Sequence, residues 1–132
     1  MIQRAFPNII SADLPAAKAW FCDLVDFETE FDSDWFVHLR AAQAPGVELG
    51  IIAADHEIAA GLGDQVAGVM LTFVVPDVDA AHQRAQGLGY EVIEAPRDLF
   101  YGQRRMLLRG PGAITVDLSS ECAPSPEFLA GL

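Results

Sequence analysis

Two stretches of the chain match each other, and a second pair of stretches matches in the same order. Residues 39–49, LRAAQAPGVEL, and residues 108–118, LRGPGAITVDL, share Leu-Arg, a turn and strand entry of equal length, and then Val, an acid and Leu, at an offset of 69. Upstream, SADLPAAKAWF from Ser11 and VPDVDAAHQRA from Val75 share an Asp, a branched apolar residue, one spacer and two alanines, at an offset of 64. Two ordered matches predict an internal duplication of about 60 residues. The five-residue difference in offset places an insertion in the second copy, within APRDLFYGQ.

Each copy reads alike. A short strand, residues 4–10 or 69–75, ends at an Asp suited to cap a helix. After Asp13, the residues Leu14, Ala17, Phe21 and Leu24 recur at helical spacing; after Asp77, Val78, Ala81 and Leu88 do so less completely. Strands follow near 27–31, 35–40 and 47–53, then near 90–94, 104–109 and 114–119. The predicted order is βαβββ, twice, in one α+β domain. Module 1 covers about residues 1–55 and module 2 about 68–120, with a tail at 121–132. The linker at 56–67 reads as a loop with one helical turn near 57–62.

Strand alternation sorts the last strand of each copy into two faces. Ile114, Val116 and Leu118 share one face, and Thr115, Asp117 and Ser119 the other. In the first copy Val47, Leu49 and Ile51 leave Glu48 and Gly50 opposite. The apolar faces suit the helices, so each copy presents one carboxylate to a surface its helix does not cover. Twisted sheets related by the duplication would enclose a cleft with an acid on each wall.

Composition narrows the partners. The chain of 132 residues is 52% apolar, enough for one core, and has no run of about 18 apolar residues. Its N-terminal MIQRAFPNII lacks the basic and apolar pattern of a secretory signal, so the expectation is a soluble, cytoplasmic protein. Cys22 and Cys122 fit neither a metal-ligand spacing nor a disulfide framework. A net charge of −11 repels phosphate backbones and anionic lipid, which excludes nucleic acid and membrane as expected partners.

With YGQRRMLLRGPGAITVDL at residues 101–118, the pattern resembles the vicinal oxygen chelate superfamily, which includes glyoxalase I, bleomycin-resistance proteins and extradiol dioxygenases. The likeness spans residues 6–120; Gly110 stands where the family usually has Asp, and Ala113 where it usually has Gly. The resemblance implies a cupped eight-stranded mixed sheet with helices on its outer face, and a homodimer. It also implies four metal-bearing positions, which fall here on Phe6, Glu48, Met70 and Asp117. Phe6 has nothing to coordinate with, and the Met70 thioether suits copper(I) better than zinc, manganese or iron(II). Two acids alone are too few for a catalytic zinc site, so no metal cofactor is expected; Glu48 and Asp117 would be its ligands if there were one.

Further residues are candidates for the cup. His38 would hydrogen-bond Glu48 or a ligand, or exchange protons near neutral pH, if the hairpin register turns it inward; turned outward it is a packed or surface histidine. Arg104 and Arg105 alternate, so one of them faces the acids, and Arg104 is the preferred partner. Trp35, Phe36, Phe100 and Tyr101 would rim the cleft, where flat rings stack on planar ligands. The leading expectation is a protein that binds or sequesters a small organic molecule, planar and cationic in character, without chemistry. The alternatives are a divergent metal-dependent lyase, isomerase or dioxygenase using Glu48 and Asp117, a metal-free acid-base catalyst, and a scaffold subunit without a ligand.

Overall fold

The computed structural model describes residues 1–62 and 67–132, so residues 63–66 of the expected linker lie outside the described part. The chain divides into two units, Met1–Val66 with Pro111–Ala113, and Ala67–Gly110 with Ile114–Leu132. Each carries a four-stranded mixed sheet built as βαβββ, which is the predicted duplication.

In the first unit β1 (Asn8–Ser11) leads into α1 (Leu14–Val25), followed by β2 (Phe27–Asp32), β3 (Phe36–Ala41) and β4 (Ala44–Ala53). The sheet order is β1-β4-β3-β2, with β1 parallel to β4 and the other pairs antiparallel. Strand β1 starts four residues later than predicted. Pro7 has no N–H to give to the ladder and contributes only its carbonyl, which accepts from Gly50 N at 2.9 Å. The Asp13 side chain caps α1 by accepting from Ala16 N at 3.0 Å, and the helix ends at Asp26 in the left-handed region. Leu14, Ala17, Trp20, Phe21 and Leu24 form its buried stripe, and α1 packs on β2, β3 and β4. Val37, Leu39, Leu49 and Ile51 are buried on the strands. The residues between them, Phe36, His38, Arg40, Glu48 and Gly50, therefore point to the opposite face.

The second unit repeats this with β5 (Met70–Val74), α2 (Val78–Leu88), β6 (Val92–Asp98), β7 (Gln103–Arg109) and β8 (Thr115–Glu121), in the order β5-β8-β7-β6. Asp77 caps α2 by accepting from Asp79 N and Ala80 N. Met106, Leu108, Val116 and Leu118 are buried, leaving Arg105, Leu107, Asp117 and Ser119 on the alternate face. Strand β6 runs to Asp98, past the predicted end at 94, because as an edge strand it accommodates Pro96 within the register shift between Glu94 and Arg97. The insertion of the second copy is absorbed in this longer, bulged hairpin. The tail forms α3 (Pro126–Ala130), capped by Ser125, with Phe128 against Phe100 at 5.7 Å. The helical turn of the linker is a 3₁₀ turn at Glu57–Ala59.

The alignment of Val-Glu-Leu on Val-Asp-Leu is out of step with the strand pairing. Arg40 pairs with Glu48, but Arg109, its counterpart, pairs with Thr115; Asp117 pairs with Leu107, at the level where Gly50 meets His38. Arg40 and Glu48 enclose seven residues, because β4 bulges before the hairpin closes at the Ala41–Ala44 pair, whereas Arg109 and Thr115 enclose five, so the acid of the second copy sits two positions further along its strand. Because the pleat has a period of two, the face is unchanged. The 110–114 turn also has a constrained backbone: Gly112 has φ 68°, Ala113 has φ 58°, and a Cβ on Gly112 would lie 2.6 Å from the Ile10 carbonyl oxygen. No helix among the described residues is long and apolar enough to cross a membrane.

Candidate functional site

Glu48 is the centre of a polar network on the face of the first sheet turned away from α1. Its side chain is 5% exposed. Arg4 grips it as a fork, with Nε donating to Oε2 at 2.8 Å and Nη2 donating to Oε1. Arg40, its cross-strand partner, donates from Nη2 to Oε1 at 3.3 Å while its Nε donates to Glu30 Oε2 at 2.8 Å. His38 Nε2 lies 2.7 Å from Glu48 Oε1 and 3.1 Å from Arg4 Nη2. Two bare lone pairs at 2.7 Å would repel, so Nε2 carries a proton and donates it to the carboxylate. The His38 face left open by the sequence is thus the Glu48 face.

Charge and hydrogen bonding act together on Glu48. The Arg4 hydrogen bond, and after it that of His38, push the carboxyl down to about 2 against the opposing effect of burial. Glu30 is likewise held below its ordinary range, mainly by Arg40. Aromatic rings enclose the network. Phe6 meets His38 edge-on at 4.9 Å, and the Arg4 guanidinium carbon lies 4.9 Å from the centre of the Phe6 ring. Phe36 lies beside His38 at 6.1 Å. Trp35 instead stacks on His56, at 4.6 Å and 20°. A groove of about 290 Å³ bounded by Leu14, Lys18, Asp32 and Asp34 lies at the start of α1 and involves none of these groups.

In the second unit Asp117 is 5% exposed. Thr72, its partner on β5, donates from Oγ1 to Oδ2 at 3.1 Å, whereas Oδ1 has no hydrogen-bond partner among the described residues. Met70 pairs with Thr115, two residues from the level of Asp117, and is 45% exposed. Arg104 lies on the α2 side, where it binds Asp79 at the start of the helix and Asp98 at the end of β6. The arginine on the Asp117 face is Arg105; it reaches Glu94 at 3.4 Å, and its buried Nε lacks a partner among the described residues. Tyr101, in the β6–β7 turn, packs edge-on against Phe100.

The four positions that the resemblance gives to a metal do not fit one. Phe6 has no donor atom, Met70 offers only a thioether, and Glu48 is already held by two guanidinium groups and an imidazole. A different trio, Glu30, His38 and Glu48, places one ligand atom each within 4.8 Å of the others. Arg4 and Arg40 are bonded to those same carboxylates and compete with any added cation for them.

Sequence reasoning missed Arg4, Arg40, Glu30 and Thr72. Arg4 had one legible signal, the spacing of two from Phe6 that aligns side chains on one side of an extended segment. Arg40 and Thr72 depend on strand registers that no local motif encodes.

Two βαβββ sheets, each with a carboxylate on the face opposite its helix, define a tandem-module α+β protein. The chain belongs to the Glyoxalase/Bleomycin resistance protein/Dioxygenase superfamily, whose family model matches residues 4–118. No curated protein matches the sequence significantly. Among solved structures, a glyoxalase/bleomycin resistance protein/dioxygenase family enzyme from Burkholderia phytofirmans PsJN is 21% identical, with a TM-score of 0.72 over 88% of this chain and 96% of that one. A glyoxalase/bleomycin resistance protein/dioxygenase from Nocardioides is 17% identical, with a TM-score of 0.69 over 96% and 90%. The bleomycin resistance determinant encoded on transposon Tn5 is 18% identical, with a TM-score of 0.66 over 91% and 98%. At these identities the likeness is one of fold.

Proposed function

We propose that this chain binds a small organic molecule, without a catalytic metal, on the sheet faces turned away from α1 and α2. The observation that carries the reading is Asp117, a buried carboxylate with one oxygen lacking a donor among the described residues. Such an acceptor costs about 1–3 kcal/mol; because Oδ1 is closed to solvent, a hydrogen-donating or cationic ligand would remove that cost by displacing the groups that cover it. The saturation of Glu48 by internal cations supports the absence of a metal. A bleomycin resistance determinant among the structural neighbours agrees with a binding role.

The test is a thermal-shift screen of planar cationic compounds, with metal analysis of protein purified without chelator. Compounds that raise the melting temperature of the wild type and lose that effect in Asp117→Ala support the reading. Near-stoichiometric zinc, manganese, nickel or iron, together with a higher melting temperature on adding that ion, would replace it with the metal-dependent enzyme.

A further inference from the structure

The partners of Arg4 differ in how they are held. Glu48 and His38 stand on paired strands, and Pro7 anchors the chain just after Phe6 through its bond from Gly50. Residues 1–5, by contrast, make no backbone–backbone hydrogen bond to the described residues, and the Arg4 side chain is 55% exposed. The receiving groups are rigid and the occupant is on a tether.

Those groups also have a definite chemical preference. A carboxylate presented end-on to a planar fork, with an aromatic face beneath the same cation, is the recognition set of a guanidinium or amidinium ion. Arg4 and Arg40 balance Glu30 and Glu48 in charge. Exchanging the Arg4 guanidinium for a monovalent planar cation preserves that balance. A divalent ion in the same place adds a charge beside Arg40 and loses the planar fit.

We propose that Glu48, His38 and Phe6 form a binding site for small molecules bearing a guanidinium or amidinium group, and that Arg4 is its tethered occupant, displaced by such a ligand. The proposal rests on the reading of the chain as a small-molecule binder and names a ligand class for its first module. A flexible tether supplies its side chain at an effective concentration on the order of millimolar, so a competing ligand meets a weakened site until Arg4 is removed.

Methylguanidine tests this, titrated into the wild type and Arg4→Ala, with methylammonium chloride at equal ionic strength as the control. The readouts are the His38 imidazole resonances and the melting temperature. Arg4→Gln, which keeps the side chain's bulk, serves as the second variant should alanine loosen the fold. The expected result is saturable binding to either variant at a concentration at least tenfold lower than in the wild type, lost when Glu48→Gln is added. Equal responses of wild type and variants, a methylammonium response of the same size, or a variant that responds to zinc but not to methylguanidine would each overturn the proposal. The Asp117→Ala screen reads the other module, so either result can fail without the other.

Discussion

His38 Nε2 stands 2.7 Å from Glu48 Oε1, although the two residues are not register partners; Glu48 faces Arg40, and His38 faces Gly50. Gly50, opposite His38, leaves the space of its missing side chain to Asn8 and Phe36. A Cβ there would run into Asn8 and the Phe36 ring.

The network predicts a specific acid sensitivity. Glu48 has its carboxyl at about 2 in the fold against an ordinary 4.5, so the stability it contributes is complete above 4.5 and is lost as pH falls toward 2. Urea midpoints measured from pH 6 to pH 2 should drop more steeply for the wild type than for Glu48→Gln. Parallel curves would show that the pair does not hold the carboxylate down.

Ala113 carries a left-handed backbone that glycine adopts without cost. Ala113→Gly should raise stability by about 1 kcal/mol, or the melting temperature by roughly 3–5 °C. Gly112→Ala should lower it, because the added methyl meets both a positive φ and the Ile10 carbonyl. Thermal denaturation of the two variants checks both signs.

Thr72 is the sole hydrogen-bond donor to Asp117 among the described residues. Thr72→Val should therefore cost about 1–3 kcal/mol by leaving a buried carboxylate without a donor, and Thr72→Ser should recover most of it. Denaturant unfolding of the two variants measures the difference.

Chelation should change nothing. With Glu48 occupied by Arg4 and Arg40, dialysis against EDTA is expected to leave the melting temperature of the wild type unaltered. A fall restored by one divalent ion would contradict this.

The sequence carried what depends on period and punctuation. Asp13 and Asp77 mark both helix starts, the Leu14 to Leu24 stripe marks the α1 face, and alternation around Glu48 and Asp117 assigns both to the sheet face opposite the helix. What it did not carry depends on which residues meet across a ladder. The side of Arg104, the contact of Arg40 with Glu48 and the pairing of Thr72 with Asp117 are set by turn length and by bulges such as the one that holds Pro96. Arg4 left only its spacing from Phe6 as a signal, since it acts from a segment with no regular structure.

The two-residue difference between what Arg40–Glu48 and Arg109–Thr115 enclose bears on how the halves of such a gene can diverge. A connection that gains or loses a pair of residues slides a reactive group one notch along the ribbon and leaves its orientation intact, whereas a single-residue change has to be taken up by a bulge, as between Thr29 and Phe31, to keep the greasy side inward. The carboxylates of the two halves thus stand on different rungs of their own ladders without leaving their side of the sheet.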